Sequence, residues 1–181
     1  MKIKNSHLLL GLALATTAAL AIGNPGGAVA RELVPYLRAP SAGNPRFLQT
    51  PSAQLGSPKV IVSWIEVGLG NPDGSVNYVA TATAAARYQC VNRGGNCPAA
   101  SNKEDVLANV SVGGTFGIDK NGRISNILII PAPPGTLQCP GNQVVGVVSA
   151  VFTNITLTDT TNGVSSLTNP SALSFNGPEC P

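Results

Sequence analysis

From Val76 to Cys90 every second residue is apolar or aromatic: Val76, Tyr78, Ala80, Ala82, Ala84, Ala86, Tyr88 and Cys90, with Asn77, Thr81, Thr83, Arg87 and Gln89 between them. Period two sustained over this length predicts a long strand with one buried and one wet face. A run of alanines alone suits a helix, but the strict alternation and the β-branched Val79, Thr81 and Thr83 favour a strand. The small buried side chains let a facing sheet approach closely.

Other segments repeat the theme. KVIVSWIEV (59–67) is β-branched and reads as a strand that ends in Gly70-Asn71-Pro72-Asp73-Gly74, a tight-turn composition. Trp64 shares parity with Val60 and Val62, which places it in the core rather than on a sugar-stacking surface. Glu66 continues that parity as an inward carboxylate. VLANVSVGGTFGI (106–118) sets Val110, Val112, Phe116 and Ile118 on one face. Asn121-Gly122 after it predicts a type I′ hairpin to Ile124–Ile130, pairing Phe116 with Ile127 and Gly114 with Ile129. In 143–158, Val145, Val147, Val151, Ile155 and Leu157 share a parity that Val148 and Phe152 break, which predicts a bulge or burial on both faces. Asp159 to Gly163 forms a further turn, a short strand follows near Val164–Leu167, and Pro170 onward reads as irregular. No segment after residue 30 has caps and a 3.6-residue period. The expected fold is all-β, an antiparallel two-sheet sandwich of immunoglobulin-like kind.

The N-terminal part differs. A basic start (Lys2, Lys4), an apolar stretch from Leu8 to Ile22 and Ala28-Val29-Ala30 before Arg31 have the form of a secretory signal peptide over 1–30. Pro35, Pro40, Pro45, Pro51 and Pro58 interrupt 31–58 too often for a helix or central strand, so that span is expected to be an extended tail or linker. The β-sandwich domain is then 59–181. No later segment is apolar and long enough to span a bilayer.

Signal removal narrows the chemistry. The one histidine, His7, leaves with it, so Ser-His-Asp and Cys-His catalysis and histidine metal ligands are excluded. Without Lys2 and Lys4 the eleven Lys and Arg fall to nine, against eight Asp and Glu. No Lys/Arg run remains to indicate nucleic acid or an anionic membrane surface.

Four cysteines, Cys90, Cys97, Cys139 and Cys180, in an exported chain predict two disulfides. Their spacings contain no C-x-x-C, against zinc and against dithiol redox chemistry. Three connectivities are open. Cys90 lies on the buried parity of its strand and Cys139 just before the next long strand, which favours Cys90–Cys139. A local Cys90–Cys97 ring with Cys139–Cys180 is the rival.

SWIEVGLG, YQCVNRGG with PAASNKEDV, GTFGIDKNGRIS, a Pro-rich stretch and Cys-Pro-Gly-Asn-Gln before FTNITLTDTTNGV resemble, in this order, a family of small exported all-β proteins. That family occurs mostly in actinobacteria and other soil organisms and carries no assigned activity. The resemblance runs over about residues 60–164. It implies cysteine at the positions of Cys90 and Cys139, supporting that bridge, with Cys97 and Cys180 as additions that pair with each other.

The Asn/Gly-rich stretch after Cys90 gathers the candidate ligand-binding side chains: Asn92, Arg93, Asn96, Asn102, Lys103 and Glu104, polar groups suited to an extracellular protein or a glycan. Glu104 and Asp105 with Asp73 or Asp119 are oxygen donors for calcium, but without the spacing of a calcium loop. Asn109-Val110-Ser111 and Asn154-Ile155-Thr156 match the glycosylation sequon. No catalytic residue, metal site or cofactor is assigned. The leading expectation is an exported, non-catalytic sandwich that binds or assembles at the cell envelope or in the medium. A protease inhibitor presenting Val91–Asn96, with Arg93-Gly94 as its bond, is one alternative. A glycosidase using two of Glu66, Asp73, Glu104, Asp105, Asp119 and Asp159 is the other.

Overall fold

Strand 59–67 has aliphatic residues at both parities, and in the fold it is the centre of a sheet. The computed structural model of the 181-residue chain describes residues 43–70, 72–94, 98 and 102–177. The signal-peptide span and 31–42 lie outside the described residues, as do Asn96, Cys97 and Cys180. Nine strands follow one another: β1 Arg46–Phe47, β2 Ser52–Leu55, β3 Lys59–Val67, β4 Ser75–Val91, β5 Lys103–Gly117, β6 Arg123–Pro131, β7 Val144–Asp159, β8 Val164–Leu167 and β9 Leu173–Asn176. No helix occurs among the described residues. In the first sheet β3 is flanked by β6 on one side and by β1 and β2 on the other. In the second, the order β5-β4-β7 continues to β8 and β9, both on the far edge of β7. All strand pairs are antiparallel, and the two sheets pack face to face, the sandwich that the alternating pattern predicts.

The core follows the parities. Val60, Val62, Trp64 and Glu66 of β3 are buried, as is the whole set Val76 to Cys90 expected for β4. Ala80, Ala82, Ala84 and Ala86 lie between larger side chains on the flanking strands: Val112 and Leu157 beside Ala80, Phe152 beside Ala84. Trp64, Tyr78 and Phe116 form a ring cluster with centroids 4.7 to 5.8 Å apart.

Four expectations are corrected. β5 and β6 are not a hairpin. β5 pairs with β4 along its length, Phe116 opposite Val76 and Gly114 opposite Tyr78, while β6 pairs with β3, Ile127 opposite Ser63 and Ile129 opposite Ile61. The turn between them carries the chain from one sheet to the other. Gly122 alone takes positive φ there (69°), whereas a type I′ turn needs Asn121 to do so too. The turn is instead built on Asp119, whose Oδ1 accepts from the N–H groups of Asn121 (2.8 Å) and Arg123 (3.0 Å). Joining β6 to β3 lets Ile124, Leu128 and Ile130 face the core and turns Ile127 and Ile129 outward.

The second correction concerns the Pro-rich span. Its described part is extended but belongs to the sheet: β1 and β2 pair with β3, and Pro45, Pro51 and Pro58 flank the paired residues, so none removes a ladder N–H. The sheet therefore begins before Lys59. Third, β7 has the expected bulge, as two register shifts against β4, but these move its buried Ala150 and Phe152 off the parity of Val145 and Val151. Two residues of β7, Asn154 and Ile155, oppose Ala82, and Asn154 takes φ 53°. The buried set thus runs Ala150, Phe152, then Ile155, Leu157, Asp159, while Val145 and Val151 are exposed. Past Pro170, expected to be irregular, β9 adds a short edge pairing to β7.

Candidate functional site

On either side of the Asn/Gly-rich stretch, the end of β4 and the start of β5 form a clamp. Cys90, at the end of β4, is bonded to Cys139 (S–S 2.01 Å) in the connection from β6 to β7. A Cys90–Cys97 ring is therefore not formed, which removes the brace of the inhibitor loop. The expected Cys97–Cys180 pair lies outside the described residues. On the same connection, the Tyr88 hydroxyl donates to the Pro133 carbonyl. The Glu104 carboxylate accepts from Thr136 N (2.8 Å), Thr136 Oγ1 (2.7 Å) and Leu137 N (2.7 Å). The Thr136 hydroxyl, with these N–H groups, holds the Glu104 carboxyl below the usual carboxylate range. Pro133, Pro134 and Pro140 keep this connection out of any ladder, so its order depends on such anchors.

The proposed ligand residues do not converge as far as they are described. Asn92 and Arg93 are exposed in the turn after β4. The Asn102 carbonyl accepts from Cys90 N at 3.1 Å, Lys103 stands opposite Gln89 in β5, and Glu104 is committed to the connection. Asp105 forms a two-pronged ion pair with Arg87 (2.7 and 3.0 Å), which lowers the Asp105 pKa and raises that of Arg87. No group of three or more His, Cys, Asp or Glu able to hold a metal ion occurs among the described residues.

Between the sheets lies a polar cluster in the apolar core. Glu66 is 0% exposed and neither of its oxygens makes a hydrogen bond. The Trp64 Nε1 and Tyr78 hydroxyl beside it are likewise buried without a normal hydrogen bond. Burial pushes the Glu66 carboxyl up to about 7, the neighbouring Tyr78 hydroxyl opposes this, and Asp159 adds to it. Burial and Glu66 together raise the Tyr78 pKa. Asp159 is also fully buried, but its oxygens cap the β7–β8 turn through Thr161 N (2.8 Å), Asn162 N (2.9 Å) and Asn162 Nδ2 (2.6 Å). Glu66 and Asp159 are the acids that the fold brings together in the interior. Sealed from solvent, they have no route to a glycosidic oxygen.

The outward face of the first sheet is the other unusual feature. Ile61 and Ile65 of β3 lie next to Ile127 (49% exposed) and Ile129 (39%) of β6, with Leu48 (56%) bonded through its N–H to the Ile65 carbonyl. Ser63 and Ser125 form the low centre of this face, and Ser52 Oγ meets Ser63 Oγ at 2.7 Å. The resulting shallow concavity has a volume of about 360 Å³ and is walled by Ile65, Ile127 and Gln49. Lys59 closes one end, Arg46 and Arg123 the other, both opposite Val67. Glu66 is the one carboxylate on these strands and it points inward. The outward face of the second sheet differs. Around Thr81, Thr83, Asn109 and Thr153 it is hydroxylated and uncharged, while toward the other end the exposed Leu107 and Val151 flank Ala85 beside the paired Arg87 and Asp105, so that its aliphatics adjoin a neutralised ion pair rather than unpaired cations.

Sequence reasoning missed the first of these faces because it assigned Ile127 and Ile129 to the core. The signal was present: KVIVSWIEV and ILII have aliphatics at both parities, more than one buried face requires. Comparisons with protein-family models, with curated proteins and with solved structures find no match.

Proposed function

We propose that this chain is an exported, non-catalytic β-sandwich protein that works at the cell envelope or in the medium by binding or assembly, of the kind its motif order resembles. The observation that carries the reading is the outward face of β3 and β6, where Ile61, Ile65, Ile127 and Ile129 lie side by side on one surface of a disulfide-bonded sandwich. A folded domain rarely leaves such a patch to water without a use for it. The Cys90–Cys139 bond supports an oxidising compartment. Among the described residues no helix is long and apolar enough to cross a membrane.

The test is made on the protein expressed with its full N-terminal sequence. It should be recovered outside the cytoplasm with Arg31 at its N-terminus, and the Ile127→Ser/Ile129→Ser variant should fold but lose retention on the envelope fraction. Hydrolysis of a panel of glycans, esters or peptides by the purified protein, sensitive to Glu66 or Asp159 substitution, would replace the reading with an enzyme.

A further inference from the structure

We infer that the outward face of the first sheet docks onto an anionic lipid surface. The inference rests on the binding reading above and names its partner. Lys59, Arg46 and Arg123 are far apart in sequence, and no basic run announces them. The ladder brings all three to one side of one sheet, because residues 59, 61, 63, 65 and 67 share a parity and Val67 is opposite both Arg46 and Arg123. At about 3.3 Å per residue and about 4.8 Å per strand, the cations bracket a field roughly 27 Å long and 10 Å wide in which the isoleucines surround a serine centre. No carboxylate projects from the strands on this side, since Glu66, the one acid they carry, points inward. Asp73 and Asp119 lie in connecting turns at the arginine end, and Asp119 is folded back onto the N–H groups of Asn121 and Arg123.

That arrangement selects among occupants. A second copy docking face to face would set cation against cation with no acid to meet either, which disfavours self-association. Strand addition at the edge of β6 is blunted, since the outward N–H of Ile127 is already taken by Asn126 Oδ1 at 2.9 Å. A soluble polyanion would use the three cations and gain nothing from the isoleucines. An anionic bilayer uses both: phosphate groups meet Lys59, Arg46 and Arg123 while Leu48, Ile127 and Ile129 enter the headgroup–acyl boundary. No ordered membrane-crossing element is required.

Vesicle co-sedimentation tests the assignment on the exported protein, its N-terminus mapped by mass spectrometry and identical in all variants, so that any contribution of that terminus cancels. The protein should bind phosphatidylglycerol vesicles at low salt, bind phosphatidylcholine vesicles weakly, and be released by high salt. R46Q/K59Q/R123Q should weaken binding about 100-fold, roughly five-fold per charge. Ile127→Ser/Ile129→Ser should weaken it at least about ten-fold. Leu107→Ser, which alters the most exposed aliphatic (74%) on the other sheet, should not. Retained near-ultraviolet dichroism shows that each variant folds. The assignment is overturned if phosphatidylglycerol vesicles are not bound, or if Leu107→Ser weakens binding as much as the isoleucine pair. It is also overturned if the charge variant alone matters and dextran sulfate competes fully, which marks a polyanion site, or if the isoleucine variant abolishes a dimer instead. Should vesicles fail while the isoleucine variant still frees the protein from the envelope fraction, the lipid falls and the binding reading stands; should neither change retention, both fall.

Discussion

Glu66→Gln should stabilise the domain at pH 8 and change it little at pH 5. Glu66 is fully buried among Trp64, Tyr78 and Asp159, and its carboxyl, near 4.5 in the unfolded chain, is pushed up to about 7 in the fold, first by burial. Because the folded value is the higher one, the favourable contribution of the protonated acid is complete below pH 4.5 and is lost as the pH rises through 7. Between those values each pH unit removes about 1.36 kcal/mol, so roughly 3 kcal/mol is at stake, a large share of a stability of about 5–15 kcal/mol. Glutamine has nearly the same shape and no charge to bury, so the variant escapes this loss. The window is otherwise quiet. The single histidine is His7, far from the core strands in sequence. Glu104 and Asp105 are held low, so what they contribute is present above their unfolded values and fades only at lower pH. Urea denaturation at pH 5 and pH 8, followed by the fluorescence of Trp64, the sole tryptophan, reads the difference from inside the cluster. A wild-type midpoint that stays flat between the two pH values, or a Glu66→Gln variant that keeps the wild-type slope, refutes the reasoning.

Three further outcomes follow from the same structure. Cys90→Ala/Cys139→Ala removes a cross-link of sequence separation 49 and should cost about 4 kcal/mol in the chain-entropy model, read as a lower urea midpoint. Asp159→Ala deletes a buried acceptor of three hydrogen bonds in the β7–β8 turn and should cost roughly 1–3 kcal/mol, while moving the Glu66 transition to lower pH because Asp159 helps to raise it; the pH dependence of the midpoint checks both. Gly68 takes φ +79° and a Cβ there would collide with the Asn44 carbonyl, so Gly68→Ala should cost about 2 kcal/mol or more and speed hydrogen exchange in β1 before β4.

What was legible in the sequence was what a single strand determines. The parity of β4 and of Trp64 and Glu66 in β3 is local, and so is the need of Pro72-Asp73-Gly74 to turn. The parity that turns Cys90 inward favours the Cys90–Cys139 bond, as does the resemblance in motif order. What failed was the choice of partner strand. Asn121-Gly122 between two apolar runs has the composition of a hairpin, yet pairing is a contest among all strands. β6 matches the full length of β3, and β5 that of β4. β1 and β2 are hidden because five prolines argue against a helix or a central strand and the span reads as a tail, although two residues between prolines are enough for an edge pairing. The cationic face was illegible for the same reason as the hairpin. Positions 46, 59 and 123 come onto one face only once β1, β3 and β6 are set side by side.

The clamp at 88–105 and the outward face are connected through β6. This strand pairs with β3 alone, and both of its connections cross between the sheets, the first at 118–122 and the second at 132–143. A strand held on one edge with free ends can slip, and a slip of one residue would bury Ile127 and Ile129 and expose Leu128 and Ile130. At its start, Asp119 fixes the chain by binding the N–H of Arg123, the first residue of β6. At its end, the Tyr88 hydroxyl holds the Pro133 carbonyl, Glu104 grips 136–137, and Cys139 is tied to Cys90. All three anchors project from the end of β4 or the start of β5, in the other sheet. The cross-link thus fixes which isoleucines reach solvent as well as raising stability. Weakening the anchors by Tyr88→Phe with Glu104→Gln should therefore loosen exchange protection in β6 more than in β3, which keeps its ladder to β2.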